Sequence, residues 1–275
     1  MDETTDQVYT GEEVKMARYG YIGLGDMGSA MAENLIRNSE AVTVYDINPK
    51  AVEVAVALGA KAAVNPADVA SQSDVISICV PAAEHITQVF EGEGGLHEGA
   101  HENLTILIHS TVLPDTVIEA RSLAAEWGSE VFDACVAGGA VQARTGSQTV
   151  LVGGLEDMPV DAVALLNIYA DEIITAGPVG SGAALKIAVN VMTYAQFAAA
   201  TTSHDLMTST GGDPQALFKA WKHMGQLGTI TEQFSLLLDI PSEHFTGEFK
   251  EKMLTQVGIS QKDLSLLLLN LLNRA

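Results

Sequence analysis

Positive charge is scarce in this chain. Only 14 of its 275 residues are Lys or Arg, against 35 Asp or Glu, giving a formal charge of −21. A nucleic-acid backbone or an anionic membrane needs a basic face, so neither is expected as a partner. Cysteine is rarer still. Cys79 and Cys135 stand apart in apolar, strand-like runs, which excludes a disulfide framework and a paired redox motif, and leaves both as reduced, structural thiols. No metal site is expected. His97 and His101 stand four apart in a polar Gly-rich loop without carboxylates at metal-site spacing, and read as solvated loop histidines. Long apolar runs are missing as well. Nothing approaches about 18 uncharged apolar residues, and the richest stretch, 183–200, is broken by Lys186, Asn190 and Gln196, so no spanning helix is expected. The sequence does not open with a basic segment followed by an apolar one, which makes the cytoplasm the default location. A Gly-x-Ser-x-Gly nucleophile elbow is also absent.

What is present reads as a folded protein, since 47% of the residues are hydrophobic and the length suits one large or two ordinary domains. Residues 1–17 form an acidic segment without apolar periodicity, expected to be a disordered or loosely docked tail. From Tyr19 to about Ala176, β-rich runs alternate with helical stretches, the pattern of a parallel sheet with crossover helices. Strands are expected at Tyr19–Leu24, Ala41–Tyr45, Val75–Val80, Thr105–His109, Glu130–Asp133, Gln148–Val152 and Glu172–Thr175. Gly177-Pro178 ends that pattern, and helical segments follow at Ala183–Ser209, Pro214–His223 and Gly228–Leu238. The expected fold is therefore α/β: a doubly wound Rossmann sheet over residues 18–178, then a smaller all-α domain over 179–275, joined by a long helix. The apolar run Leu264–Leu272 is expected to pack on the core or on a second subunit.

The first strand leads into Gly23-Leu24-Gly25-Asp26-Met27-Gly28 and then a helical period. Strand, glycine turn and helix in this order suit a dinucleotide: Gly23 for the tight turn, Gly25 for approach of the pyrophosphate, Gly28 for helix–strand packing. Asp46 follows the second strand, about 20 residues past the middle glycine, where an acidic side chain accepts from ribose hydroxyls. It would repel a 2′-phosphate, so NAD is favoured over NADP. The alternative is that Asp46 merely caps the helix starting near Asn48-Pro49. Val80-Pro81 and Ser110-Thr111 also follow strand ends, where ligands of open α/β sheets sit, or else simply stop a strand and cap a helix.

Further along, Gly180-Ser181-Gly182 introduces an apolar helical stretch in which Lys186 and Asn190 share one face. A lone Lys with a nearby amide suits proton transfer to a carbonyl oxygen beside a hydride donor. The alternative is a lysine snorkelling from a packed helix.

With these motifs in this order, together with Asp133 to Gly139 and Glu91-Gly92-Glu93-Gly94-Gly95-Leu96, the chain resembles the β-hydroxyacid dehydrogenase family from about Arg18 to Leu268. The resemblance implies a Rossmann domain that binds the nicotinamide cofactor, an all-α domain, and a substrate between them. It makes Lys186 the acid/base and Asn190 its amide partner. The family's carboxylate motif, Asp-Ala-Pro-Val-Ser-Gly-Gly, here reads Asp133-Ala134-Cys135-Val136-Ala137-Gly138-Gly139. Gly138 and Gly139 keep their backbone donors while Ala137 lacks the hydroxyl, which favours a different acidic headgroup or a substrate bound mainly by backbone amides. Lys262-Asp263-Leu264 matches a segment whose Lys lies beside cofactor and substrate and whose Asp positions neighbours. The family's usual final helices do not follow, which leaves open whether a neighbouring subunit completes the helical domain. The implied protein is an NAD-dependent oxidoreductase for a small hydroxy acid and its semialdehyde or keto form, as a homodimer or homotetramer. An NADPH-linked aldehyde-acid reductase and an inactive dinucleotide-binding module are the alternatives.

Overall fold

The computed structural model describes residues 17–226, 228–238, 240, 244 and 246–272; the expected acidic tail lies outside them, except for Ala17. The order of elements is β1 (Tyr19–Ile22), α1 (Asp26–Asn38), β2 (Val42–Tyr45), α2 (Pro49–Ala57), β3 (Lys61–Ala62), α3 (Pro66–Gln72), β4 (Val75–Ile78) and α4 (Ala83–Glu91). Then come β5 (Thr105–Ile108), α5 (Pro114–Glu126), β6 (Glu130–Ala137), α6 (Ala140–Thr145), β7 (Gln148–Gly153), α7 (Val160–Tyr169) and β8 (Ala170–Gly177). Four helices close the chain: α8 (Ser181–Ser209), α9 (Pro214–His223), α10 (Thr229–Leu238) and α11 (Gly247–Leu272).

Local chemistry sets several helix starts. Pro opens α2, α3 and α9, where its missing N–H costs nothing. Before each stands a capping side chain: Asn48 accepts from Lys50 N, Asn65 from Asp68 N, and Asp213 from Gln215 N.

The eight strands lie in the order β3-β2-β1-β4-β5-β6-β7-β8. β4 and β5 are buried along their whole length because helices cover both faces of the sheet. On one face Leu107, Phe132 and Val150 pack with Met31 and Leu35 of α1 and with Leu165 and Tyr169 of α7. On the other, Ile76, Ile78, Ile106 and Ile108 pack with α3, α4, α5 and Ala183 of α8. All seven expected strands are present. The two-residue edge strand β3 was not expected, being too short to show a period.

One feature departs from the all-parallel reading. β6 pairs parallel with β5 through Glu130 to Asp133, then antiparallel with β7 through Ala134 to Ala137. β7 and β8 are parallel to each other, so this edge of the sheet runs against the rest. The connection from β6 to β7, residues 138–147, holds only the short α6, whereas a parallel crossover needs about a dozen residues. The Gly138-Gly139 turn follows the end of β6, beyond its last pairing with β5 at Asp133.

Candidate active site

The glycine turn after β1 has the geometry a pyrophosphate requires. Gly23 has φ +95°, and a Cβ there would lie 2.3 Å from Cys79 O, so only glycine fits. A Cβ on Gly28 would lie 1.9 Å from Gly23 O, so this glycine sets the approach of α1 to the turn. Gly25 is different: a Cβ there would meet nothing within 4 Å. Its open side faces away from the protein at the start of a 13-residue helix, where unpaired N–H groups favour an anion. Leu24, Asp26 and Met27 complete the turn.

Asp46 sits just past β2, half-buried. Leu24 N donates to its Oδ2 at 2.5 Å and Asn48 N to its Oδ1 at 2.7 Å. It therefore braces the glycine turn, while the cap of α2 is Asn48. A carboxylate has lone pairs beyond these two bonds, so it can still accept from a ribose.

Val80-Pro81 and Ser110-Thr111 emerge from β4 and β5 side by side. Val80 N donates to Ser110 Oγ at 2.9 Å, locking the two strand ends together. Lys262 of α11 reaches them from the helical region, donating from Nζ to Thr111 O at 3.0 Å and to Pro81 O at 3.2 Å. Residues distant in sequence thus converge on one edge of the sheet.

Asp133 does more than open a motif. It is fully buried at the point where β6 changes partner, and its Oδ1 and Oδ2 accept from Gly180 N and Ala183 N at 2.8 and 2.7 Å. A carboxylate thus satisfies donors that every helix N-terminus leaves unpaired, and it pins the start of α8 to the sheet. Gly182 permits this approach, because a Cβ there would lie 2.6 Å from Leu151 O. Lys186 follows one turn later.

Lys186 is half-buried, and burial pushes its ammonium below the ordinary lysine value, with Asp263 working against this shift and Lys262 with it. Asn190 is buried and donates from Nδ2 to Asp263 Oδ2 at 2.7 Å. Tyr194, one further turn along α8, donates to the same oxygen at 3.0 Å. Lys262 Nζ lies 3.2 Å from the other oxygen, Oδ1, without hydrogen-bond alignment. Because Asp263 accepts only, Asn190 must turn its NH2 toward it and its carbonyl oxygen away. Tyr194 and Asp133 were missed as site residues; the i+8 spacing of Tyr194 from Lys186 was the signal available.

Other expectations need correction. Gly138 has φ +125° and is exposed, but Gly139 N does not stand free: it donates to Gln142 Oε1 at 3.0 Å. The local Gly-x-x-Gln capping pattern accounts for this contact. Cys135, by contrast, is the reduced core thiol that its apolar run suggested: burial pushes it up to about 12, and its Sγ donates to Ser110 O. Of the loop histidines, His97 is exposed and also bonds Phe90 O, and His101 is half-buried and bonds Ser73 O and Glu102 O.

A glycine turn shaped for pyrophosphate on the C-terminal edge of a doubly wound sheet places the molecule in the Rossmann class of dinucleotide-binding proteins. Residues 18–177 match the family model of the NAD binding domain of 6-phosphogluconate dehydrogenase. A Mycobacterium tuberculosis uncharacterized oxidoreductase is 31% identical over 91% of this chain and 85% of its own length. The probable mitochondrial 3-hydroxyisobutyrate dehydrogenase of Dictyostelium discoideum is 33% identical over 72% of this chain. The chain spans only 62% of that relative's length. Among solved structures, a putative oxidoreductase from Mycobacterium avium superposes with TM-score 0.70 at 31% identity, covering 92% of this chain and 90% of that one. A M. tuberculosis 3-hydroxyisobutyrate dehydrogenase with L-serine gives TM-score 0.79 at 23% identity over 94% and 88% of the two chains, a likeness of fold. The chain belongs to the family defined by the NAD binding domain of 6-phosphogluconate dehydrogenase.

Proposed function

We propose that the protein is an NAD-dependent oxidoreductase interconverting a small hydroxy acid and its semialdehyde or keto form. Residues 18–178 form the cofactor domain and 179–275 the helical, substrate-facing domain. The observation that carries this reading is that Lys262 reaches the strand ends at Pro81 and Thr111 while its neighbour Asp263 holds Asn190, one helical turn from Lys186, which feels the charges of both Asp263 and Lys262. When bound, a nicotinamide dinucleotide supplies or accepts the hydride. Gly23, Gly25 and Gly28 with the start of α1 would hold its pyrophosphate, and Asp46 its ribose in preference to a 2′-phosphate.

The protein's own part is proton transfer. In reduction the Lys186 ammonium gives a proton to the carbonyl oxygen; in oxidation the neutral amine takes the alcohol proton. Burial of Lys186 favours the neutral amine that oxidation needs. Asn190, oriented by Asp263, offers its carbonyl oxygen as an acceptor beside the amine. The exposed Met192, Leu206, Leu254 and Val257 on α8 and α11 form the apolar surface through which two or four copies associate.

The test is oxidation of NADH and NADPH against glyoxylate, succinic semialdehyde, tartronate semialdehyde and methylmalonate semialdehyde, with Lys186→Ala alongside. NADH-linked turnover that falls about 100- to 10,000-fold in the variant supports the reading. Equal turnover in the variant removes Lys186 from the chemistry.

A further inference from the structure

Charge is divided unequally between the two halves. Residues 18–178 contain 22 Asp or Glu against six Lys or Arg, whereas residues 179–275 contain eight against seven. β1 to β5 are mutually parallel, so the helices that follow them all begin on the C-terminal edge of the sheet, which is also the edge of the open Gly25 turn. Four of these helices carry a carboxylate in their first turn: Asp26 in α1, Asp68 in α3, Glu84 in α4 and Asp115 in α5. Asp46, just ahead of α2, is a fifth. Each acid in a first turn stabilises its own helix by meeting the positive end of the dipole. Together they charge the edge, because none of the five forms an ion pair among the described residues.

The cations of this half are directed elsewhere. Arg18 pairs with Asp74 on the opposite edge, Arg37 and Arg144 share Glu33, Lys61 donates to Gln72, and Arg121 lies 5.6 Å over the ring of Phe132. Of the six, only Lys50, exposed at the start of α2, stands on the cofactor edge. Lys262, reaching in from α11, is held by two carbonyl oxygens and lies beside Asp263. The mouth presented to a dinucleotide is therefore negative, with a potential of several kT at low salt.

We propose that this rim of carboxylates is a charge filter that favours the oxidised dinucleotide, which carries one negative charge fewer than the reduced one. It rests on the reading of the glycine turn as the dinucleotide site. The pyrophosphate is common to both forms, so the charge of the nicotinamide ring alone separates them. Glu84 and Asp115 stand just past Pro81 and Thr111, where the chemistry is proposed. In alcohol oxidation the filter admits the oxidised cofactor and helps expel the reduced one.

Dissociation constants of NAD and NADH for the full chain, measured calorimetrically at about 0.05 M and about 1 M KCl, test the filter as the Debye length falls from about 14 Å to about 3 Å. The ratio of the two constants is the readout, because any effect of salt on folding is common to both and cancels. The filter predicts that the ratio moves about fivefold toward NADH at the higher salt. The double variant Glu84→Gln/Asp115→Asn should lose about half of that change. Glu130→Gln/Asp161→Asn removes the same charge from the opposite edge, where Glu130 begins β6 and Asp161 acts on Tyr19 at the start of β1, and should keep the change in full. A ratio that ignores salt, a ratio that moves toward NAD, or equal responses of the two double variants would each overturn the filter while leaving the dinucleotide site standing. Binding of neither form at either salt would overturn the dinucleotide reading and the filter with it.

Discussion

The sheet and the helical region hold themselves together differently. In the sheet and the helices on it, Tyr21, Phe90, Phe132, Ile76 and Ile106 are among the largest side chains, and all are sealed from solvent. In the helical region large apolar side chains stand open, Met192 at 62%, Leu206 at 64% and Leu236 at 67% exposure. There the contacts to the sheet half include discrete polar struts, Asp133 to the start of α8 and Lys262 to Pro81 and Thr111, while Asp263 ties α11 to Asn190 and Tyr194 of α8. A half with a sealed apolar core meets a half joined to it by the apolar start of α8 and by a few directed bonds, and the proposed chemistry lies at their junction. Stability should therefore be governed by the sheet, and positioning by the struts.

The largest expected effect comes from separating two glycines of one turn. Gly28→Ala drives a methyl into Gly23 O and should cost about 3 kcal/mol, visible in denaturant unfolding. Gly25→Ala meets open space, so it should leave stability nearly unchanged and weaken dinucleotide binding about tenfold or more. If both lose stability equally, the division between fold and site at this turn is wrong.

The sheet also carries a buried polar chain in which His109 Nδ1 contacts Ala134 O, its Nε2 contacts Ser77 Oγ, and Ser77 contacts Tyr169 Oη. Burial pushes the His109 imidazole down to about 4, against an ordinary 6.5. Above 6.5 the ring is neutral folded or unfolded. As pH falls from 6.5 toward 4 the unfolded chain takes the proton first, so stability drops by up to about 1.4 kcal/mol per pH unit. Below 4 this contribution flattens. The difference in unfolding free energy between wild type and His109→Gln, followed across that window, checks the sign.

Smaller effects belong to the struts. Lys262→Met should cost about 1 kcal/mol in stability, and raise KM for the dinucleotide severalfold as α11 loses its hold on Pro81 and Thr111. Tyr194→Phe removes one bond to a carboxylate and should cost about 1 kcal/mol, lowering kcat through Asn190 with little change in KM. Struts whose loss changes stability by several kcal/mol and leaves kinetics untouched would reverse the proposed comparison.

Much of the sheet half was legible in advance because its signals are local. Apolar runs of four to six residues bounded by Gly, Pro and Asn mark β1, β2, β4 and β5, and the glycine turn follows its strand directly. The reversal at β7 was less visible, its one clue being the short link after Ala137. Lys186 and Asn190 were readable because helical spacing puts them on one face. The bond from Asn190 to Asp263 joins residues 73 apart, and no periodicity encodes it. The engagement of Gly139 by Gln142 lies within four residues and was open to a capping argument, while the buried Gln148 depends on tertiary packing.

The central claim is that Lys186 moves the proton at the junction of the two halves. Its most direct test is the pH dependence of kcat for alcohol oxidation at saturating NAD, in wild type and Lys186→Arg. The account predicts that kcat rises with pH as Lys186 loses its proton, with a midpoint below the ordinary lysine value of 10.5 in the wild type, and that this rise is absent from the variant, because arginine does not deprotonate. The same rise, at the same pH and with turnover retained in Lys186→Arg, would contradict it.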